Sequence, residues 1–88
     1  MFYKLILKPL TANSISCQLY KRNSMTWLDE LYSEFTVTFE KGITTYKPVP
    51  PNKTFVWPPS IDESIRNNIK TYFDGLCGEE SFVWMSGD

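Results

Sequence analysis

Histidine is absent from this 88-residue chain. That removes the usual general base near neutral pH and the commonest metal ligand, so triad hydrolases and zinc enzymes are poor readings. Cysteine is scarce: Cys17 and Cys77 are the only two, far from the density of a disulfide-stapled secreted scaffold. No apolar run approaches the roughly 20 residues of a membrane span. Lys4 and Lys8 break the first stretch well short of a signal-peptide core. A reducing cytoplasm is therefore the expected location, the host's if the chain comes from a phage or other mobile element. There is no glycine-rich phosphate loop, no paired-cysteine metal spacing and no calcium loop, so neither cofactor nor metal is expected.

Charge of one sign is lacking too. Nine Lys and Arg against ten Asp and Glu leave a net charge of -1, a total that announces neither nucleic acid nor a membrane surface. The distribution is less even. Lys4, Lys8, Lys21 and Arg22 occupy residues 1 to 28 without an acid, and Asp74, Glu79, Glu80 and Asp88 occupy residues 71 to 88 without a base. Pairing of the terminal strands would bring the two ends together.

What the chain has is aromatic residues and alternating patterns. Its length allows one domain, residues 1–88, with a proline-rich connector at 47–59. Phe2 to Leu7 reads as a strand apolar on both faces, closed by Pro9, and Ile15, Cys17 and Leu19 mark a second strand antiparallel to it. Trp27, Leu28, Leu31, Tyr32 and Phe35 fall at helical spacing, with Asp29 and Glu30 suiting a first turn, which predicts a short helix near Thr26 to Glu34. Phe35, Val37 and Phe39 then alternate, Lys41-Gly42 turns the chain, and Ile43 to Tyr46 returns as a hairpin.

In the connector, Pro48, Pro50 and Pro51 favour an extended conformation, and Phe55 to Trp57 reads as an optional edge strand. Ser60-Ile61-Asp62-Glu63 has capping-box form, and Ile61, Ile65, Ile69, Tyr72, Phe73 and Leu76 continue a helical stripe over about residues 61 to 74. Ser81 to Met85 reads as a last strand. The expectation is an α+β domain of order ββαββ(β)αβ, a mainly antiparallel sheet of four to six strands with two helices packed on one face.

Catalysis finds little support. Cys77 follows a helix, whose C-terminal end disfavours a thiolate, Cys17 lies on the apolar side of a strand, and Asp29, Glu30 and Glu34 read as solvated acids. Three Trp, five Tyr and six Phe exceed what the thin core of so small a domain encloses. Exposed rings of this kind anchor interfaces. The expected function is a non-catalytic protein-binding domain, of the inhibitor, immunity-protein or phage-antagonist kind, that occludes a partner's functional surface. Its candidate contacts are Tyr46, Phe55, Trp57, Glu79, Glu80 and Trp84. Trp57 and Trp84 have an ordinary alternative as lids on the core. Pro48-Val49-Pro50-Pro51 also fits a P-x-x-P ligand, though loop stiffening explains it as well. The alternative function is nucleic-acid binding through a basic, aromatic sheet face of Lys4, Lys8, Tyr20, Lys21 and Arg22. A homodimer through the edge of Phe55 to Trp57 stays open.

Overall fold

Two complementary apolar surfaces build the molecule: one row of side chains on a sheet and one stripe on a helix. The computed structural model describes residues 2–23, 25–50, 57–75 and 80–86. Strands β1 (Phe2–Thr11), β2 (Ser14–Arg22), β3 (Asp29–Glu40) and β4 (Ile43–Pro48) follow one another, then a 3₁₀ turn (Pro59–Ile61), helix α1 (Asp62–Gly75) and strand β5 (Ser81–Ser86). The five strands form one antiparallel sheet in the order β4-β3-β2-β1-β5. As the charge pattern suggested, the first and last strands pair, with Lys4 opposite Trp84 and Ile6 opposite Phe82.

The period of two decides the layers. Tyr3, Leu5 and Leu7 of β1, Ile15, Cys17 and Leu19 of β2, Phe35 and Val37 of β3, and Met85 of β5 are all buried on one face. Ile61, Ile65, Ile69 and Tyr72 lie buried against them, spaced to form one side of a helix. Each fully enclosed Leu or Ile contributes about 1.5–3 kcal/mol of transfer free energy.

The structure has one α-helix among the described residues, not two. The segment expected to be helical from Thr26 to Glu34 is a turn followed by the first half of β3. A register shift explains the misleading period. Tyr20 faces Leu31 and Leu19 faces Ser33, so Tyr32 is an extra residue in the ladder. Apolar residues on either side of this bulge change rows: Leu31 lies opposite Tyr20, whereas Tyr32 packs edge-on against Tyr3 with ring centroids 6.1 Å apart. An isolated helix of that length is marginal in water, while the ladder with β2 pairs Asp29 to Glu34 along one side and β4 joins the other side from Phe35 onward.

Three further boundaries differ. β1 does not stop at Pro9 but continues to Thr11. β5 pairs with β1 only as far as Leu7, so among the described residues β1 past that point is an edge where a missing N–H costs no ladder bond. Ser60 sits inside the 3₁₀ turn, whose cap is Pro58, and α1 starts at Asp62. Trp57 is not in a strand, and Phe55 and Val56 lie outside the described residues. The hairpin is as expected: Lys41 and Gly42 take φ of 53° and 79°, the left-handed pair that a two-residue turn requires.

Candidate functional site

The helix covers one face of the sheet, and no described element covers the other. Alternation sends Lys4, Ile6 and Lys8 of β1, Gln18, Tyr20 and Arg22 of β2, Asp29 and Leu31 of β3, and Phe82 and Trp84 of β5 to this open face. β1 was expected to be covered on both sides. Its second apolar row instead forms part of an outer surface, with Phe2 exposed and Ile6 half-buried between Gln18 and Phe82.

Lys4 is the centre of this face. Its Nζ lies 5.5 Å from the Trp84 ring centroid, 5.9 Å from Phe82 and 6.0 Å from Tyr20, and 3.4 Å from Asp29 Oδ2. Arg22 donates from Nε to Asp29 Oδ1 at 3.0 Å and lays its guanidinium 4.4 Å from the Trp84 centroid. The hydrogen bond from Arg22, with help from Lys4, holds the Asp29 carboxyl below its ordinary pKa. One carboxylate thus answers two cations, and the cations lie against rings. Farther along the face, Gln18 donates to Glu34 at 3.1 Å. The described carboxylate that meets Lys4 and Arg22 therefore comes from β3 and not from the acidic C-terminal segment.

Just beyond the Arg22–Asp29 pair, the β2–β3 connection displays Met25, Trp27 and Leu28, with Trp27 69% exposed. This tip has a built framework. Asn23 Oδ1 accepts from the Met25 and Thr26 amides at 2.8 and 3.2 Å, the Trp27 amide donates to the Asn23 carbonyl at 2.8 Å, and the Asn23 amide donates to the Leu28 carbonyl at 2.9 Å. Trp27 sits at φ 60°, a left-handed conformation that disfavours a bulky side chain. An apolar ring is thus held outward on a hydrogen-bonded turn.

The expected contact residues do not gather into one patch. Trp84, 43% exposed, belongs to the open face. Tyr46 and Trp57 lie on the helix side near the other edge, where Trp57 packs on Phe35 and Tyr46 at centroid distances of 5.3 and 5.7 Å and donates its indole N–H to Asp62. Arg66 stacks over both rings and bonds Asp62 at 3.1 Å. Tyr46 and Trp57 are the core's lid at this edge. Glu80 is exposed just before β5, and Phe55 and Glu79 lie outside the described residues. The alternative basic set is also divided: Lys4, Lys8, Tyr20 and Arg22 share the open face, while Lys21 alternates to the helix side opposite Tyr3.

The sequence places Phe2 and Ile6 on the face of Lys4 and Lys8, as found, but it does not single out Asp29, Leu31 and Phe82 as their surface neighbours or Trp27 as a displayed ring. The spacing of Phe82 and Trp84 carried the signal, since residues two apart in a strand share a face. The signal for Leu31 was hidden by the bulge, and Trp27 lies in the connection before β3, where no strand period applies.

Cys17 is fully buried, and burial pushes its thiol up to about 12, so it is a packing residue without a nucleophile's environment. A recess of about 400 Å³ between the β3–β4 hairpin and α1 is lined by Phe39, Tyr46, Arg66, Lys70 and Phe73. Phe39 and Phe73 stack across it at 5.6 Å. Among the described residues no three His, Cys, Asp or Glu side chains are grouped to hold a metal ion, and no helix is long and apolar enough to cross a membrane. Neither the protein-family models nor the curated proteins nor the solved structures contain a match to this chain, so what it does is read from these surfaces.

Proposed function

We propose that this chain is a non-catalytic binding domain that docks a partner protein on the open face of its sheet, with Trp84, Phe82, Tyr20 and Leu31 as the apolar contact and Trp27 as an anchor at its rim. The observation that carries the reading is the concentration of large apolar side chains on a face that no described element covers. Phe82 is 65%, Leu31 52% and Trp84 43% exposed, around two cations that share the Asp29 carboxylate. Such a patch is costly in water and marks an interaction surface. Occlusion of the partner's own functional surface is the mechanism proposed for this face, with Lys8, Glu34 and Glu80 at the periphery setting orientation.

A second reading has one favourable observation. Lys4 and Arg22 lie over the rings of Tyr20 and Trp84, the combination of stacking surface and cation that takes single-stranded nucleic acid. The Asp29 carboxylate and the nearby Glu34 weigh against it, because a phosphate chain would have to displace one and pass the other.

Capture experiments separate the two. The immobilised chain is expected to retain a defined protein from its native cell, and Trp84→Ala and Trp27→Ala are each expected to reduce recovery at least tenfold while leaving the circular dichroism spectrum unchanged. Unchanged recovery by both variants overturns the reading. Retention of a single-stranded oligonucleotide that falls steeply with salt and is lost in Lys4→Glu transfers the assignment to nucleic acid.

A further inference from the structure

The two edges of the sheet are not alike. β4 ends in Lys47-Pro48, a charge and an imino acid that discourage a further strand. β5 reads Ser-Phe-Val-Trp-Met-Ser, with no charge, no proline and no register shift against β1. Its backbone polarity follows from the ladder. The two-residue turn makes Glu40 and Ile43 a hydrogen-bonded pair. Bonded and non-bonded pairs alternate, and the Phe39 amide accordingly turns toward β2's side, donating to Asn13. Carried through the registers, this alternation joins Ser81, Val83 and Met85 to β1 and directs the N–H and C=O groups of Phe82, Trp84 and Ser86 outward. No described strand lies beyond them.

We infer that a second copy of this chain occupies that edge, its β5 pairing antiparallel with the first about a two-fold axis at Val83. The strand is nearly the same read in either direction from Val83: a ring on each side, Phe82 and Trp84, between Ser81 and Met85. Opposed residues in an antiparallel pair share a face, so this register sets Phe82 against Trp84 of the other copy, twice, on the open face. Ser81 meets Met85 in the same way on the helix side. Glu80 meets Ser86, so no like charges are opposed. A partner strand of other composition would need its own match to this sequence, whereas a copy brings it by symmetry. The dimer joins two open faces into one surface, with each Lys4 behind its ring pair. This pairing is independent of which macromolecule that surface takes.

Sedimentation of the full chain from low-micromolar to near-millimolar concentration tests the pairing. The mass is expected to rise from 10.3 kDa to twice that value. Phe82→Lys is expected to stay monomeric throughout with an unchanged far-ultraviolet spectrum, and Thr44→Lys, on the opposite edge, to dimerise like the parent. Val83→Cys in a Cys77→Ser chain supplies a readout that needs no charge on the edge. Facing residues in a non-bonded pair have Cα atoms about 4.5 Å apart, within disulfide reach. Mild oxidation is expected to give a covalent dimer that the Cys77→Ser parent does not form. A monomer at every concentration together with no crosslink overturns the inference, as does a dimer lost in Thr44→Lys and kept in Phe82→Lys.

Discussion

Arg22 holds its guanidinium 4.4 Å from the centroid of the Trp84 ring, although the two residues lie on strands separated by β1. The contact spans β1 and ties the edge strand β5 to the middle of the sheet. Asp29 fixes the guanidinium from the other side at 3.0 Å. A ring that is 43% exposed is therefore oriented before any partner arrives, and a pre-oriented ring loses little entropy on docking.

Asp29 makes this arrangement sensitive to acid. The Arg22 hydrogen bond lowers its pKa from the ordinary 3.8. A lowered folded-state value means that the stabilisation is present above the ordinary value and fades as pH falls through it and below. The melting temperatures of the parent and Asp29→Asn are expected to differ at pH 6 and to converge toward pH 2. A constant difference across this range is the opposing result.

Trp27 is expected to show function against stability. Its left-handed backbone costs about 1–2 kcal/mol for a residue with a Cβ. Trp27→Gly should melt at the parent's temperature or above it, while partner recovery falls. Loss of stability in that variant would mean that the ring packs rather than projects.

Trp57 is expected to behave in the opposite way. It packs on Phe35 and Tyr46 and donates to Asp62, so Trp57→Ala is expected to destabilise the fold by about 2–4 kcal/mol in chemical denaturation, near the range for aromatic truncation in cores. Trp57→Phe keeps most of the packing and loses the charge-assisted hydrogen bond, at about 1–2 kcal/mol.

Cys17 is expected to be inert until the chain opens. In a Cys77→Ser background, a disulfide reagent at pH 8 should label the native protein only at the rate of opening, and immediately in denaturant. The folded thiol titrates near 12 and the unfolded one about 3 units lower, so native stability should fall as pH rises through that interval.

Much of the fold was legible because it rests on local periods. The β1, β2 and β5 rows, the Lys41-Gly42 hairpin and the α1 stripe each follow from side chains a few residues apart. The region from Trp27 to Phe35 was not legible, because one extra residue at Tyr32 turns a strand's period of two into an imitation of 3.6. The candidate site was half legible. Exposed rings were expected, and Trp84 is among them, but Trp57 and Tyr46 form the core's lid on the far side of the sheet. Whether a half-polar ring lies in or out depends on what packs beside it, and for Trp57 that is a helix that follows it in the chain.

Alone, the order of residues determined that this is one α+β domain whose strands alternate and whose helix α1 buries Ile65 and Ile69, since periodicity and turn chemistry act within a few residues. Only the tertiary structure decided which face the helix covers and which stays open, that Asp29 is shared by Lys4 and Arg22, and that Tyr20, Phe82 and Trp84 become neighbours. These are relations between strands far apart in the chain, set by pairing order and by one bulge, and no local pattern encodes them.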